Sequence, residues 1–485
     1  MWILAHGAEI PELAGNYTVH WRILPNLAMD LIVPPLARAM PIEEAGRVFI
    51  ALTMLVLLGG TVALHRVLHG RLAIWPVWSV LFIYNAALFR GFVNFLFATG
   101  IYLFAFSGWI AARHWRTGPR ILVFSVVASL LAALHLFAFG LYGLSVISYE
   151  LATRPNLRRM SLESIVAWGA VFLQFVPGIL LWYGSLAHGA PTYTAYGSVA
   201  SKLYALISPF TFGFQPAALD GLTGSLLILF MIFAILTRSL KLVPEMRLPL
   251  AVMMTLALLI PNWLNGSWLA DIRLPVALPF VIVASTRFEA SRMAMTRGIA
   301  AVAMILLGLR VWTVSQAWLD YDRWFAEFRS ASGVITAGAR LLVVQTPTLQ
   351  QRQQLPGVPL TLAMLQWPTF SHLAALTVID RAAFVPYMFT RWTPIDVTLR
   401  NEAVSQSQGV PATPEELMKS IDPERARDLD IGPNFLGERP YWRNWPATFD
   451  FVLWIDFSQA PKPALEQLRW LASGSFFEIY RVVRP

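Results

Sequence analysis

The sequence predicts an α-helical polytopic membrane protein with about nine or ten transmembrane helices and a C-terminal α/β domain outside the membrane. Of its 485 residues, 56% are hydrophobic and only 13% are charged, about half the charged fraction of a typical soluble domain. Apolar runs long enough to cross a bilayer recur from Gly46 to Trp318. The chain has no cysteine, which excludes disulfides, thiolate metal sites and cysteine nucleophiles.

The distribution of charge indicates a membrane partner. From Leu319 onward lie 16 of the 37 basic residues and 17 of the 28 acidic ones. The basic excess of the whole chain therefore belongs to the first two thirds, in short loops between apolar runs. Arginine and lysine in such loops set the orientation of membrane helices. The expected partner is thus the lipid bilayer, and no nucleic acid is expected.

The apolar runs predict the spans, and the Arg-rich loops between them predict their direction. The run Ile121–Ala152 is too long for one span, and basic loops flank it on both sides. Because both loops are expected in the cytoplasm, we expect a hairpin of two short helices that turns near His135–Gly140. A single long tilted helix is the alternative, but it would break the charge pattern at one loop. This gives ten spans, at about residues 46–64, 72–89, 92–112, 121–152 (two spans), 164–186, 222–237, 247–264, 272–286 and 298–316.

Three regions follow from these spans. Residues 1–43 are expected to form an outward-facing N-terminal loop, residues 44–318 a helical membrane domain, and residues 319–485 an extracytoplasmic α/β domain. An outward N-terminus without a preceding span is unusual. Either the first span is inserted in reverse, or the chain starts inside a longer reading frame whose first helix is missing; we expect the second. Within the last region, the pattern predicts strands at 339–346, 449–457 and 475–483, and a helix at 463–474.

Arg90 and Asn94 are the most unusual polar residues of the membrane domain. They lie within almost 40 otherwise apolar residues, Leu72–Ala112, which predicts two spans with a tight turn near Arg90. A guanidinium at that depth is costly unless it reaches an interface, a cavity or a partner. Either Arg90 extends to the membrane surface at the turn, or it belongs to a functional site that needs a fixed positive charge.

The first outer loop brings further polar residues together in the stretch 20–30. His20, Asn26 and Asp30 lie within it. Asn26 is expected to cap a short helix that begins near Leu27. The Asp30 carboxylate would act as a general base or bind a divalent cation, or it is simply solvated.

Four other polar residues flank predicted spans on the same outer side. His135 is either a satisfied core histidine or a catalytic assistant, and Lys202 is either a surface anchor or a phosphate ligand. Asp271 and Arg273 either form an ion pair or contribute to a site. Arg90, Lys202 and Arg273 together would suit a phosphate headgroup at the membrane interface.

These features resemble the bacterial membrane glycosyltransferases of the GT-C type. The resemblance rests on the layout and on short motifs: LPNLAMD (24–30), GFVNFLFATG (91–100), the His135 hairpin, DIRLP (271–275) and the C-terminal α/β domain. It implies a polyprenyl-phosphate-linked sugar donor and transfer on the outer face, with a catalytic acid in the first outer loop. Glu12 occupies roughly that region, although its context GAEIPELAG departs from the family pattern, and Asp30 is the better placed carboxylate.

The resulting hypothesis is an integral membrane glycosyltransferase of the bacterial inner membrane that modifies an envelope acceptor. Asp30 or Glu12 would be the base or metal ligand, assisted by His20, and Arg90, Lys202 and Arg273 would bind the donor phosphate. Asn26, Asn94, His135 and Asp271 would support the site, and Mg²⁺ or Mn²⁺ is a possible cofactor. The alternatives are a transporter or flippase of lipid-linked material, and a non-catalytic envelope protein.

Overall fold

The computed structural model describes residues 1–484 apart from 23, 155–160, 187–192, 212–216, 290–292, 347–368, 389, 391–392, 407–409, 422–439 and 457–461. It divides into two compact units. We call Ile23–Val33 with Glu43–Thr313 the bundle unit. Met1–Arg22, Pro34–Ile42 and Val314–Pro485 form the terminal unit.

The bundle unit is made almost entirely of helices. They are α3 (Ala28–Ala37, whose end belongs to the terminal unit), α4 (Ile42–His69), α5 (Ala86–Phe89), α6 (Val93–Ala111), α7 (Thr117–Leu134), α8 (Leu136–Thr153), α9 (Leu162–Leu173), α10 (Val176–Leu186), α11 (Val199–Ile207), α12 (Ala217–Leu236), α13 (Arg247–Leu259), α14 (Ala270–Ser285) and α15 (Met293–Ala331, which continues into the terminal unit). Short strands β2 (Leu240–Leu242) and β3 (Thr286–Phe288) pair antiparallel.

The expected class, a polytopic helical membrane protein, is confirmed. Among the described residues six helices are long and apolar enough to span a membrane, namely α4, α6, α7, α8, α12 and α15. A seventh span results if α9 and α10, bent by 50° at their junction, are counted as one. The predicted spans at 247–264 and 272–286 correspond to the shorter helices α13 and α14, of 13 and 16 residues.

The predicted span at 72–89 is not one helix. A 3₁₀ helix covers Trp75–Phe82, and the single turn α5 follows it. The side chain of Asn85 accepts hydrogen bonds from the backbone N–H groups of Ala87 and Leu88. Since this is the geometry of an N-terminal cap, it starts a new helix and interrupts the apolar run.

The predicted hairpin within 121–152 is confirmed, and α7 and α8 meet at His135. Arg120 at the start of α7 lies 3.2 Å from Glu150 near the end of α8, so the two helices are antiparallel. Helix α8 runs in the same direction as α6, because Tyr102 contacts Ser145 and Trp109 contacts Glu150. The turn before α6 and the turn at His135 therefore lie at the same end of the bundle, as the loop charges predicted.

The terminal unit contains a four-stranded mixed sheet. Its strands β4 (Leu341–Gln345), β6 (Phe451–Ile455), β8 (Phe477–Val482) and β7 (Leu468–Ser473) are adjacent in that order, and only β4 and β6 are parallel. Three strands agree with the prediction. The predicted helix at 463–474 is wrong, because the second half of that segment is strand β7, whose backbone groups pair with β8.

Residues 1–22 are part of this unit and do not form a free loop. They comprise α1 (Trp2–His6), α2 (Pro11–Asn16) and β1 (Tyr17–Val19), and β1 pairs antiparallel with β5 (Ile395–Val397). Leu13 and Tyr17 are buried in the same core as the sheet. Short helices α16 (Ala375–Arg381), α17 (Leu399–Glu402), α18 (Pro414–Lys419) and α19 (Trp445–Thr448) complete the described part of the unit.

Candidate functional site

The turn between α5 and α6 fixes the position of Arg90. Arg90 ends the short helix α5, and Gly91 follows with a φ of +76°. This left-handed backbone conformation favours glycine, because a Cβ would be strained there. The tight turn predicted near Arg90 is therefore confirmed.

The Arg90 side chain is half-buried and is held by aromatic residues. Its guanidinium donates a hydrogen bond of 3.1 Å to the Tyr204 hydroxyl, and its central carbon lies 5.4 Å from the Tyr204 ring and 5.9 Å from the Trp268 ring. These are cation–π distances. No carboxylate among the described residues forms an ion pair with Arg90.

Arg273 lies in the first turn of α14 and is 8% exposed. It donates to the Ser267 hydroxyl at 2.5 Å and to the Trp268 carbonyl at 3.5 Å. Its guanidinium carbon is 5.1 Å from the Phe92 ring, and its buried Nε has no hydrogen-bond partner in the described part of the chain. It forms no direct ion pair with any described carboxylate, although Asp271 interacts with its charge at longer range. Arg90 and Arg273 thus both contact the Ser267–Trp268 turn.

This turn has a constrained backbone. Asn265, Gly266 and Leu269 all have positive φ angles, of 49°, 76° and 52°. A left-handed leucine costs about 1–2 kcal/mol, so surrounding contacts must hold it. The strain fixes Ser267 and Trp268 between the two arginines.

Lys202 and Asp271 form a separate polar group beside this turn. The Lys202 ammonium donates to the carbonyls of Ile260 and Ala257 at the end of α13, at 2.5 and 3.4 Å, and lies 4.0 Å from Asp271. Asp271 also accepts a hydrogen bond from the Asn262 amide at 3.1 Å. Carbonyls at a helix C-terminus lack intrahelical partners, so Lys202 satisfies them and Asp271 balances its charge.

His135 has a structural role in the described geometry. Its Nδ1 accepts a hydrogen bond from the backbone N–H of Phe137, which caps α8. The ring also packs edge-on against Phe95, with 5.5 Å between centroids. The proton of the neutral ring is therefore assigned to Nε2, which remains the free nitrogen.

Asn94, and not Asn26, caps α3. The Asn94 side-chain oxygen accepts a hydrogen bond of 2.8 Å from the Met29 N–H, and its amide donates to the Asn26 carbonyl at 2.7 Å. The predicted cap at Asn26 is wrong because a residue 65 positions away supplies the acceptor. The backbone N–H of Leu27 also bonds to the Ala133 carbonyl. These contacts place the start of α3 beside the turns that carry Arg90 and His135.

Asp30 follows directly and is buried, with 5% of its surface exposed. Its Oδ1 has no hydrogen-bond partner among the described residues. The residue lies outside the helices long enough to span a membrane, and burial raises the pKa of its carboxyl above the usual range. A buried carboxylate with one unsatisfied oxygen has the properties expected of a general base.

The two remaining predicted residues, His20 and Glu12, belong to the terminal unit. His20 is exposed just after β1, and its backbone N–H bonds to the Pro394 carbonyl. Glu12 lies on α2 and lines a cavity of that unit. Within the described residues, no three His, Asp or Glu side chains are grouped as metal ligands, and the expected divalent cation stays a prediction.

Two buried arginines were not singled out from the sequence. Arg310 on α15 is fully buried and donates to the carbonyls of Tyr84 and Phe210 at 2.5 and 2.8 Å, with Asp220 at 3.6 Å. Arg120 pairs with Glu150. The sequence did contain a reason to single out Arg310. It is the one charged residue in the apolar run 298–316, and such charges are costly in a membrane.

The fold defines a multi-spanning helical membrane protein with an α/β unit. No protein-family model matches the chain, and no curated protein matches it. Among solved structures, the chain is similar to the crystal structure of ArnT from Cupriavidus metallidurans bound to undecaprenyl phosphate, with 12% identity, coverage of 99% of this chain and 93% of that chain, and a TM-score of 0.44. At this TM-score the similarity carries no argument about function, which is therefore argued from the residues alone.

Proposed function

We propose that this protein is a membrane-embedded glycosyltransferase that uses a polyprenyl-phosphate-linked sugar, and that Arg90 and Arg273 bind the donor phosphate. The observation that carries this proposal is the pair of guanidiniums at one turn, neither of which forms an ion pair with a described carboxylate. The sequence resemblance to GT-C enzymes supports the sugar-transfer chemistry.

The energetics favour an anionic ligand between these side chains. A buried charge that is not directly paired costs free energy, and Arg273 is 8% exposed and has Asp271 only as a longer-range counter-charge. A phosphate accepts paired N–H bonds from a guanidinium, and such charge-assisted bonds are stronger than neutral ones. The aromatic rings around the two guanidiniums belong to Phe92, Tyr204 and Trp268. They would exclude water and pack against the first carbons of a lipid tail.

Asp30 is the proposed general base. An acceptor hydroxyl would attack the anomeric carbon of the sugar while the bond from that carbon to the phosphate oxygen breaks. The polyprenyl phosphate leaves with the electron pair, its charge stabilised by Arg90 and Arg273, and Asp30 takes the hydroxyl proton. Attack opposite to the leaving group inverts the anomeric configuration.

The other polar residues would hold this arrangement in place. Asn94 fixes the start of α3 and hence Asp30. Lys202 was expected to bind phosphate, but its ammonium is engaged with two carbonyls, so we assign it to positioning the end of α13. Transfer to an envelope acceptor on the outer face of a bacterial inner membrane is part of the same proposal.

A transfer assay tests the base. The full-length protein in liposomes is given a panel of polyprenyl-phosphate-linked hexoses and pentoses with envelope extract as the acceptor source, and released polyprenyl phosphate is measured by mass spectrometry. Asp30→Asn should lower turnover by about 100-fold or more while donor binding is retained, and the control Asp322→Asn, at an exposed position of the terminal unit, should behave as wild type. Full turnover by Asp30→Asn would refute the assignment.

A further inference from the structure

The terminal unit contains a polar cavity that the proposed transfer site does not use. It has a volume of about 480 Å³, within the range of about 300–1,000 Å³ that small-molecule sites occupy. All of its walls belong to the terminal unit, from α2, the segment before β4, α17 and the residue before β6. The lining residues are Pro11, Glu12, Gly15, Thr336, Ala337, Gly338, Ala339, Arg400 and Asp450.

A buried amide network holds two of the lining residues, Gly338 and Arg400, in place. Asn16 and Asn401 are essentially inaccessible, and the Asn401 amide donates to the Asn16 side-chain oxygen at 2.9 Å. Asn16 in turn donates to the Gly338 carbonyl, and Arg340 donates to Asn401 and to the Arg400 carbonyl. Buried, satisfied networks of this kind hold their surroundings rigid. The cavity is therefore a preformed feature of the unit.

Gly338 leaves room for the Glu12 side chain in the wall of the cavity. Its φ is +70°, and a Cβ there would approach the Cβ of Glu12 to 3.3 Å. Any other residue at this position would be strained and would press on the side chain of Glu12.

The charges that face the cavity divide into satisfied and available groups. Asp450 accepts from the Arg340 backbone N–H at 3.0 Å and is paired with Arg484 at 2.8 Å. Glu12 and Arg400, in contrast, make no ion pair or side-chain hydrogen bond with the described residues. The Glu12 carboxylate, which can accept hydrogen bonds, and the Arg400 guanidinium, which can donate them, thus line the same cavity and carry opposite charges.

We propose that this cavity binds a neutral saccharide. A carboxylate accepts hydrogen bonds from two hydroxyls, and a guanidinium donates several in a fixed fork, which matches the neighbouring hydroxyls of a sugar ring. The opposite charges of Glu12 and Arg400 favour a neutral polar ligand over an anion or a cation. In the transferase proposed above, the saccharide would be part of the acceptor; that link rests on the proposed function, whereas the binding does not.

Direct binding tests this inference on the full-length protein. The protein is placed in nanodiscs, because alkyl glycoside detergents would occupy the cavity, and is studied by saturation-transfer NMR and titration calorimetry. The probes are methyl glycosides of glucose, galactose, mannose and arabinose, with glucuronate and glucosamine as charged counterparts. Saturable binding of at least one neutral glycoside, tighter than that of either charged sugar, is expected.

Three variants locate the binding. Glu12→Gln should weaken it by about tenfold or more, and Ala337→Trp, which fills the cavity from an exposed position, should abolish it. Glu402→Gln, an exposed carboxylate outside the cavity, should leave it unchanged. Binding of polyprenyl phosphate should be the same in all three, which separates this site from the transfer site.

The inference is overturned if no neutral glycoside of the panel binds saturably, if a charged sugar binds more tightly than all neutral ones, or if Ala337→Trp binds as wild type.

Discussion

Replacement of Arg273 by glutamine separates a ligand-binding role from a structural one. Without lipid phosphate, Arg273→Gln removes a buried charge that forms no direct ion pair with a described carboxylate and has Asp271 only at longer range, which relieves part of the cost of burying that charge. The change also loses hydrogen bonds to Ser267 and Trp268, of about 1 kcal/mol each, and a cation–π contact with Phe92 of about 0.5–1 kcal/mol. The two effects oppose each other, so stability of the ligand-free protein should stay near wild type or rise.

The lipid-bound protein should behave differently. At a concentration of 100 times the dissociation constant, polyprenyl phosphate stabilises the wild type by about 2.7 kcal/mol. Loss of a charge-assisted bond of about 1.5–3 kcal/mol lowers affinity by about 10- to 150-fold. At the same lipid concentration, the stabilisation of Arg273→Gln should therefore fall to about 0.3–1.4 kcal/mol.

The assay is thermal unfolding of delipidated protein in nanodiscs, with and without polyprenyl phosphate. The matched control is Arg310→Gln. Arg310 is also buried, but it donates to two carbonyls and faces Asp220, so its loss should cost about 3–5 kcal/mol without lipid. If Arg273→Gln is destabilised as much as Arg310→Gln and is protected by the lipid as well as wild type is, the anion-site reasoning is refuted.

Four further predictions concern Asp30, the Arg120–Glu150 pair and the orientation of the chain. Asp30→Asn should leave the free energy of unfolding at pH 7 unchanged or higher. A carboxyl whose pKa is raised by folding stabilises the folded state below its unfolded pKa, and this stabilisation is lost as the pH rises through the folded pKa. The substitution therefore removes no stabilisation at pH 7. In the wild type, transfer should fall on acidification at a higher pH than an ordinary aspartate would give, and an unshifted profile would contradict Asp30 as the base. Glu150→Gln should lower stability by about 3–5 kcal/mol, because it leaves the buried Arg120 without its carboxylate; a loss below about 1 kcal/mol in thermal unfolding would contradict this. Because the chain lacks cysteine, single cysteines report orientation: Glu402→Cys should react with a membrane-impermeant maleimide in intact cells and His114→Cys should not, and the reverse pattern would invert the topology.

Local sequence patterns predicted the bundle better than the terminal unit. Hydropathy located the spans, and the charges of the loops placed the Arg90 and His135 turns at the same end, because both signals act within a few tens of residues. The segment 463–474 was predicted as a helix from its local pattern, yet pairing with β8 makes it a strand. Such tertiary override is common for short segments.

Long-range contacts account for the other differences. Nothing local shows that β1 pairs with β5, nearly 400 residues later, or that Asn94 supplies the cap expected from Asn26. For Lys202, the sequence showed an isolated cation near a span, but only the structure shows the carbonyls that it satisfies. For Arg90 and Arg273, the high cost of a charge in an apolar segment was enough to single them out as candidate site residues from the sequence.

Equilibrium binding of polyprenyl phosphate, compared with the polyprenyl alcohol of the same chain length, tests the central claim most directly. Wild-type protein in nanodiscs should bind the phosphate about 100-fold more tightly or better, because two guanidiniums each contribute charge-assisted bonds to it. In the double variant Arg90→Gln/Arg273→Gln this preference should disappear. Equal binding of the two lipids by the wild type, or a preference that survives in the double variant, would contradict a phosphate site at these residues.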